Sequence, residues 1–179
     1  ALSATQDEIT WVLAAYLIAV AIAMPMVGYL ANRFGRKRLF LVATFGFTLA
    51  SIGAASSGSL AEMVAFRFIQ GIFASPLLPL SQSFIFDSYS GDKRGEAVGW
   101  WAVGIMIGAG FGPALGGYIT EFHGWRWVFY INVPLGVVSF VLVLVFVPMR
   151  RFRDRVQRFG FVGFLILTVA LVSLQLIFS

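Results

Sequence analysis

The sequence predicts an all-α membrane protein, and its composition, the length of its apolar runs and the placement of its charges lead to that prediction. Of its 179 residues, 59% are hydrophobic and 12% are charged, whereas soluble domains average about 45–50% apolar and about 25% charged residues. A soluble domain of this size could not cover so much apolar surface. The same composition excludes a disordered chain, which needs low hydrophobicity and high charge.

Six apolar runs are long enough to cross a bilayer as helices, which takes about 20 residues each. Membrane β-strands would be about half as long and would alternate apolar with polar residues, which these runs do not. The predicted spans lie near residues 9–30, 39–57, 63–86, 97–119, 127–147 and 159–179. The chain accordingly divides into an N-terminal bundle at 1–147, a basic cytoplasmic linker at 148–158 and an additional span at 159–179.

The basic residues predict the orientation of these spans. Eleven of the thirteen Lys and Arg residues lie in three alternate connectors, at 32–38, 87–96 and 149–158. The connectors on the other side hold only Arg126, and Arg67 lies inside a span. By the positive-inside rule, the basic connectors face the cytoplasm. We therefore expect a multi-pass protein of the inner (cytoplasmic) membrane, whose basic runs contact anionic lipid rather than nucleic acid.

The connector between the first two spans is short and basic. About eight residues separate the spans, so two antiparallel helices meet in a tight turn, and Gly35 supplies the backbone freedom it needs. Gly28 would let the helix end pack closely. The cations are predicted to hydrogen-bond carbonyls at helix C-termini and neighbouring carboxylates. The candidate residues of this loop are Gly28, Asn32, Arg33, Gly35, Arg36 and Lys37.

Arg67 lies near the start of the third span. Inserting a charged side chain into a bilayer costs about 2.5–3.5 kcal/mol at the middle of a helix and less near its end. One interpretation is that its side chain snorkels to the outer interface, and the other is that it faces a polar interior. Helical spacing favours the second, because small and polar residues continue its face at steps of three, four and seven. The stripe consists of Arg67, Gln70, Gly71, Ala74 and Ser81.

Prolines and glycines interrupt the third and fourth spans. Pro76 and Pro79 are predicted to kink the third span, with nearby hydroxyls satisfying the freed carbonyls. In the fourth span glycines recur every fourth residue, which draws a groove where another backbone can approach closely. We hypothesise that this face is an interface that opens and closes, with a bend at its proline. Its residues are Gly104, Gly108, Gly112 and Gly116, with Pro113 and Gly117 beside them.

The residue types exclude most catalytic chemistry. The chain has no Cys, which removes thiolate metal sites and Cys nucleophiles. Its single His, His123, lies beside Glu121 in an outer connector with no evident Ser partner, and is predicted to be solvated. We therefore expect neither a metal site nor an enzyme, since an intramembrane enzyme needs a nucleophile–base pair or a metal cluster.

Four motifs in chain order resemble those of the major facilitator superfamily. Residues 28–37 resemble its signature loop G-x-L-a-D-R-x-G-R-K, with Asn32 in the place of the Asp, and 67–71 resemble its fourth-helix motif R-x-x-Q-G. Residues 108–117 resemble the fifth-helix antiporter motif G-x-x-x-G-P-x-x-G-G. Residues 125–136 resemble the W-R-W-x-F-x-I-N-x-P-x-G stretch of the fourteen-span drug:proton antiporters of the EmrB/QacA type.

The resemblance implies that the six runs are helices two to seven of fourteen, in an N-terminal half that lacks its first helix. It implies proton-driven export of hydrophobic or cationic drugs, with the proton gradient as coupling force and no cofactor. Arg67, Gln70 and Gly71 would belong to the proton-coupling cavity. The face from Gly108 to Gly117 would open and seal the cavity, and the loop would latch one state. A periplasmic adaptor protein is a further partner that the resemblance allows.

Two other interpretations use the same membrane architecture. An importer or facilitator of a sugar, metabolite or siderophore would share the fold, although the fifth-helix Gly-Pro motif argues against it. A half-transporter could also act as a scaffold that transports nothing, because the cavity of such folds forms between two halves.

Overall fold

The computed structural model describes the backbone of residues 6–148 and the side chains of residues 10–148. The predicted span at 159–179 and nearly all of the linker at 148–158 lie outside the described residues. Within the described part every regular element is helical. The elements are α1 (Gln6–Ala23), a 3₁₀ turn (Met24–Met26), α2 (Val27–Phe34), α3 (Arg36–Ser56), α4 (Leu60–Ala74), α5 (Leu77–Ser88), α6 (Asp92–His123), α7 (Trp127–Tyr130) and α8 (Asn132–Phe146).

These helices form five stretches that are long and apolar enough to cross a membrane. They are Thr10–Phe34, Arg36–Ser56, Leu60–Ser88, Asp92–His123 and Trp127–Phe146. Each overlaps one of the first five predicted runs, and the predicted all-α class is confirmed. The fourth stretch differs most, because its first turn is polar (DKRGE) and was not included in an apolar run that starts near 97.

A single residue, Gly35, connects α2 to α3. Its φ of 88° and ψ of 140° lie in a region that favours glycine. Its amide donates to the Ala31 carbonyl at 2.9 Å, and its own carbonyl accepts from the Leu39 amide at 3.0 Å. The connection is shorter than the predicted eight residues, because residues 31–34 continue α2 and residues 36–38 already belong to α3.

Prolines divide the first and third membrane stretches but not the fourth. Pro25 lies in the 3₁₀ turn between α1 and α2, a break that the sequence analysis did not predict. Pro76 caps α5, and the Ser75 hydroxyl donates at 2.9 Å to the Ile72 carbonyl, which Pro76 leaves without an amide partner. By contrast, α6 continues through Pro113 as one helix of 32 residues.

Small side chains allow close packing around α4, which packs against α1 on one side and α3 on another. A Cβ at Gly71 would overlap the backbone carbonyl of Tyr16 and lie 2.8 Å from the Ala19 Cβ. Alanines dominate the buried surfaces of α1 and α3. They are Ala14, Ala15, Ala19, Ala43, Ala50, Ala54 and Ala55. Helices in a bilayer associate through such close van der Waals contact, because lipid tails are as apolar as the side chains and the hydrophobic effect does not drive the helices together.

The two C-terminal membrane stretches lie at the edge of this bundle. Neither α6 nor α8 has a buried residue within the described part. The Trp101 indole on α6 donates a 3.1 Å hydrogen bond to the Ser81 hydroxyl on α5. On α8, a Cβ at Gly136 would overlap the Thr48 hydroxyl of α3, so these two backbones also approach closely.

Candidate functional site

Arg67 on α4 lies half-buried between α1 and α7 rather than reaching outward. Its Nη1 donates to Gln70 Oε1 at 2.9 Å, and its Nε donates to the Val12 carbonyl at 3.4 Å. Its Cζ lies 4.2 Å from the centroid of the Tyr16 ring and 5.9 Å from that of Phe129. These contacts favour the interpretation that Arg67 faces a polar interior over the one that it snorkels to the interface.

Gln70 connects Arg67 to a buried hydroxyl on α3. Only 1% of Gln70 is exposed, and its Nε2 donates to Ser51 Oγ at 2.6 Å. A guanidinium can only donate, so the amide oxygen must face Arg67 and the amide nitrogen must face Ser51. The Ser51 hydroxyl in turn donates to the Phe47 carbonyl at 2.9 Å. The resulting polar chain crosses from α4 to α3 with each of its buried groups bonded, as burial of polar groups requires.

Ser51 was missed by the sequence analysis, although a signal for it exists. It follows Thr44 and Thr48 on α3 at helical steps of four and three, and all three side chains are buried. The two threonine hydroxyls donate to carbonyls of their own helix, of Phe40 at 2.9 Å and of Thr44 at 2.8 Å. Within the described part of the chain, Ser51 is the one of these three that accepts a hydrogen bond from another helix, and the spacing alone could not distinguish it from the threonines.

The first four positions of the predicted stripe lie on one unbroken helix, α4, and the fifth does not. Arg67 and Gly71 contact α1, with Gly71 buried beneath the Tyr16 carbonyl, whereas Gln70 is bonded to Arg67 and to Ser51 of α3. The helix ends at Ala74, so Ser81 belongs to α5 and is bonded to Trp101 instead. The kink at 75–76 is the physical reason, since the step of seven that joined Ala74 to Ser81 assumes an unbroken helix.

The glycine face of α6 lies open. A Cβ at Gly108, Gly112, Gly116 or Gly117 would meet no atom within 4 Å. Pro113 lies among these glycines within the same helix. Within the described residues no helix therefore packs on the face for which the sequence predicts close backbone approach.

Cations hold the loop between the first two membrane stretches, which the sequence predicts to be cytoplasmic. Arg36 Nη1 forms an ion pair with Asp87 Oδ2 at 2.8 Å, with 30% and 25% of the two side chains exposed. Lys37 Nζ donates to the Leu144 carbonyl near the end of α8 at 2.8 Å, and Arg33 donates to the Tyr29 hydroxyl at 2.8 Å. Lys37 thus bonds a helix-end carbonyl and Arg36 a carboxylate, as expected, whereas the Arg33 bond is to a tyrosine hydroxyl.

Asp87 was not predicted as a site residue, although it is the acidic residue that ends the third apolar run. The loop and α5 enclose a cleft of about 270 Å³, to which Asn32 and Arg36 contribute from the loop side. Gly28 also lines this cleft, and no atom lies within 4 Å of where its Cβ would be. The close packing predicted at Gly28 is therefore not seen within the described part of the chain.

Residues 125–136, called the outer segment because the sequence predicts that they lie at the outer face, pack on the C-terminal end of α3. Arg126 Nη2 donates to the Ser57 carbonyl at 3.1 Å, and the hydroxyls of Tyr130 and Ser56 lie 3.4 Å apart. His123 lies beside this segment, with its ring 6.3 Å from that of Trp127. Among the described residues, no three His, Cys, Asp or Glu side chains are grouped so that they could hold a metal ion.

A family model described as Major Facilitator Superfamily matches residues 1–178 of this chain. The chain is 39% identical over 175 residues to the multidrug export protein EmrB of Escherichia coli K12, covering 98% of this chain and 34% of that protein. It is 37% identical over 172 residues to multidrug resistance protein 3 of Bacillus subtilis 168, covering 94% and 33%. The chain thus spans about a third of the length of these curated relatives.

The fold is also similar to a solved transporter structure. The inward-open conformation of the xylose transporter XylE from E. coli superposes with a TM-score of 0.73. The match covers 98% of this chain and 46% of the XylE chain, at 21% sequence identity. At that identity the likeness concerns the fold alone.

Proposed function

Because this chain belongs to the Major Facilitator Superfamily, we propose that it is part of a longer drug:proton antiporter. Membership makes it a multi-pass segment of an inner-membrane transporter rather than an enzyme. The longer protein would export hydrophobic or cationic drugs by alternating access, driven by the proton gradient without a bound cofactor. Relatives named for multidrug export or multidrug resistance support this direction of transport.

The observation that carries the proposal is the half-buried guanidinium of Arg67 at the junction of α1, α4 and α7. An ionisable residue inside a membrane span is costly, and such residues mark ion and substrate pathways. Here the charge contacts an amide, a carbonyl and two aromatic rings. We assign Arg67 to proton coupling, with Gln70 as its hydrogen-bond partner and Gly71 as the point of close packing.

Two further elements would serve the conformational change. The open glycine face (Gly108, Gly112, Pro113, Gly116 and Gly117) would receive a helix from outside the described residues and part from it again. The loop residues Gly28, Asn32, Arg33, Gly35, Arg36 and Lys37 would latch the cytoplasmic ends of the spans. In this scheme the described stretches are helices two to six of the transporter, residues 159–179 form the seventh, and lipid and a periplasmic adaptor are its partners.

The test uses the complete reading frame that contains this sequence, expressed in a drug-sensitive host without its own exporters. Energised cells should extrude a cationic dye, and a protonophore should abolish the extrusion. The 179-residue chain expressed alone is the comparison. Dye uptake instead of extrusion, or extrusion that the protonophore leaves intact, would contradict the proposal.

Arg67→Ala examines the assigned role within the same experiment. At normal expression in the membrane, this variant should lose gradient-driven extrusion by at least about tenfold, the scale of one lost charged interaction. Arg38→Ala is the matched control, because Arg38 is exposed at the cytoplasmic end of α3. Equal extrusion by Arg67→Ala and Arg38→Ala would exclude a coupling role for Arg67.

A further inference from the structure

The outer segment is fixed to α3 at three separated points. Near its start, Arg126 donates to the carbonyl of Ser57, the residue that follows α3. Near its centre, the Tyr130 hydroxyl lies 3.4 Å from that of Ser56. At its end, Gly136 lies so close to Thr48 that any side chain there would overlap the threonine hydroxyl. These contacts span two turns of α3, so they set the position of the short helix α7 between them.

The position of α7 brings Phe129 to Arg67. The Phe129 ring centroid lies 5.9 Å from Arg67 Cζ, and the Tyr16 ring of α1 lies 4.2 Å from the same atom. Both distances are within the range over which a guanidinium is attracted to an aromatic face. Arg67 therefore contacts rings from two elements that are separate from its own helix and far apart in sequence.

The hydrogen bonds and the rings act on different properties of Arg67. The bonds to Gln70 and Val12 orient the edge of the guanidinium. The rings stabilise its charge without competing for its hydrogen-bond donors, and this attraction grows where water is excluded. A ring delivered from α7 thus holds the charged group in place while leaving it able to exchange partners.

We propose that Phe129 is a positioning residue for Arg67, and that the outer segment serves to hold Phe129 at this distance. This inference rests on the proposed function, since it assigns a task within the coupling role of Arg67. It gives the 125–136 motif a purpose: the motif connects the outer end of α3 to the charged group of α4. Tyr16 provides the second ring.

The test uses the complete transporter reconstituted in liposomes, with two assays on each variant. One measures cationic dye transport driven by a pH gradient. The other measures exchange of labelled for unlabelled dye without a gradient, which requires the same fold and dye site but no net proton movement. Phe129→Leu removes the ring, and Phe129→Tyr keeps it. Phe122→Leu is the matched control, because Phe122 on α6 is 64% exposed.

Phe129→Leu should lower gradient-driven transport by roughly three- to tenfold, the scale of one cation–π contact. Exchange should stay within about twofold of the unmodified transporter, and Phe129→Tyr and Phe122→Leu should keep both activities. Arg126→Gln, which weakens the bond to Ser57, should reproduce the selective loss in smaller degree. If Phe129→Leu does not accumulate in the membrane, Phe129→Met replaces it, since Met fills a similar volume without a ring.

Two results would overturn the inference while leaving the proposed function intact. One is gradient-driven transport by the ringless variant at the rate of the unmodified transporter. The other is an equal loss in both assays, which would show a structural role only. If the unmodified transporter exchanges dye but ignores the pH gradient, the proposed function fails, and this inference fails with it.

Discussion

The amide of Gln70 accepts from Arg67 at 2.9 Å and donates to Ser51 Oγ at 2.6 Å, so one buried side chain joins the charged group of α4 to α3. Gln70 is 1% exposed and Ser51 is fully buried. An amide suits this place because it presents an acceptor to the guanidinium and a donor to the hydroxyl. The hydrogen bond between Gln70 and Ser51 thus couples the orientation of Arg67 to the packing of α3 against α4.

Replacing Gln70 should therefore affect both stability and transport. Gln70→Leu removes the hydrogen bonds that the amide makes to Arg67 and to Ser51, while Arg67 keeps the Val12 carbonyl and Ser51 keeps the Phe47 carbonyl. The loss is worth about 0.5–1.5 kcal/mol for the neutral bond and about 1.5–3 kcal/mol for the bond to the charged group. We expect the apparent unfolding temperature of the detergent-solubilised transporter to fall by several degrees, with a matching loss of dye extrusion. Gln82→Leu on α5 is the control, because Gln82 is only half-buried. Identical unfolding temperatures for the two variants would contradict the hydrogen-bonded chain.

Gly71 should tolerate no side chain at all. The methyl group of Gly71→Ala would overlap the Tyr16 carbonyl, so α1 and α4 would have to separate. Overpacking of this kind costs about 1–3 kcal/mol. Gly95→Ala is the matched change, because its methyl group would meet nothing within 4 Å and alanine is the better helix former. Thermal unfolding should rank Gly71→Ala well below Gly95→Ala, and the opposite order would refute the close contact.

A large side chain on the glycine face should leave folding intact and impair transport. A Cβ at Gly112 would meet no atom within 4 Å among the described residues, so we expect Gly112→Leu to accumulate in the membrane at the normal level. If this face receives another helix during the cycle, dye extrusion by the complete transporter should nevertheless fall by about tenfold or more. Gly99→Leu is the control, since helical spacing places Gly99 on another face of α6. Normal extrusion by Gly112→Leu would remove the face from the mechanism.

Loss of the ion pair between Arg36 and Asp87 should change the unfolding temperature little but should slow transport measurably. Both side chains are partly exposed, so the pair is worth about 0.2–1 kcal/mol and is screened by salt. Asp87→Asn should slow dye extrusion with little change in unfolding temperature. Asp92→Asn, on the exposed start of α6, is the control and should leave the rate of extrusion unchanged. Exchanging the two charges in a double variant, Arg36→Asp with Asp87→Arg, should recover part of the rate. The absence of any recovery would mean that the two residues do not act as a pair.

The spans were predictable because each depends only on a local run of apolar residues. The same locality explains why Gly35 could be placed at the first turn, where its φ of 88° favours glycine. The predicted length of that turn was wrong, because the polar residues on both sides of Gly35 are helical, at the end of α2 and at the start of α3. The break at Pro25 has a local signal in the sequence, since a proline within an apolar run interrupts a helix.

The contacts of the site were less predictable, because they depend on how separate helices rotate against one another. Ser51 contacts Gln70 from α3, and Phe129 contacts Arg67 from α7. Nearby hydroxyl and aromatic residues in the same elements make no such contact within the described residues, and the sequence does not show which of them will. The interior placement of Arg67 could be inferred, since its own helix carries the pattern. Ser81 shows the limit of that inference. The break between α4 and α5 at residues 75–76 interrupts the helical spacing on which the predicted stripe from Arg67 to Ser81 depended.

The one-residue connection at Gly35 limits how far two helix ends can move apart. Because α3 begins directly after this glycine, the last Cα of α2 and the first Cα of α3 can be separated by at most about 7 Å, two steps of about 3.8 Å along the chain. Any rearrangement that displaces this end of α2 must therefore displace the start of α3 with it, so the two spans respond together.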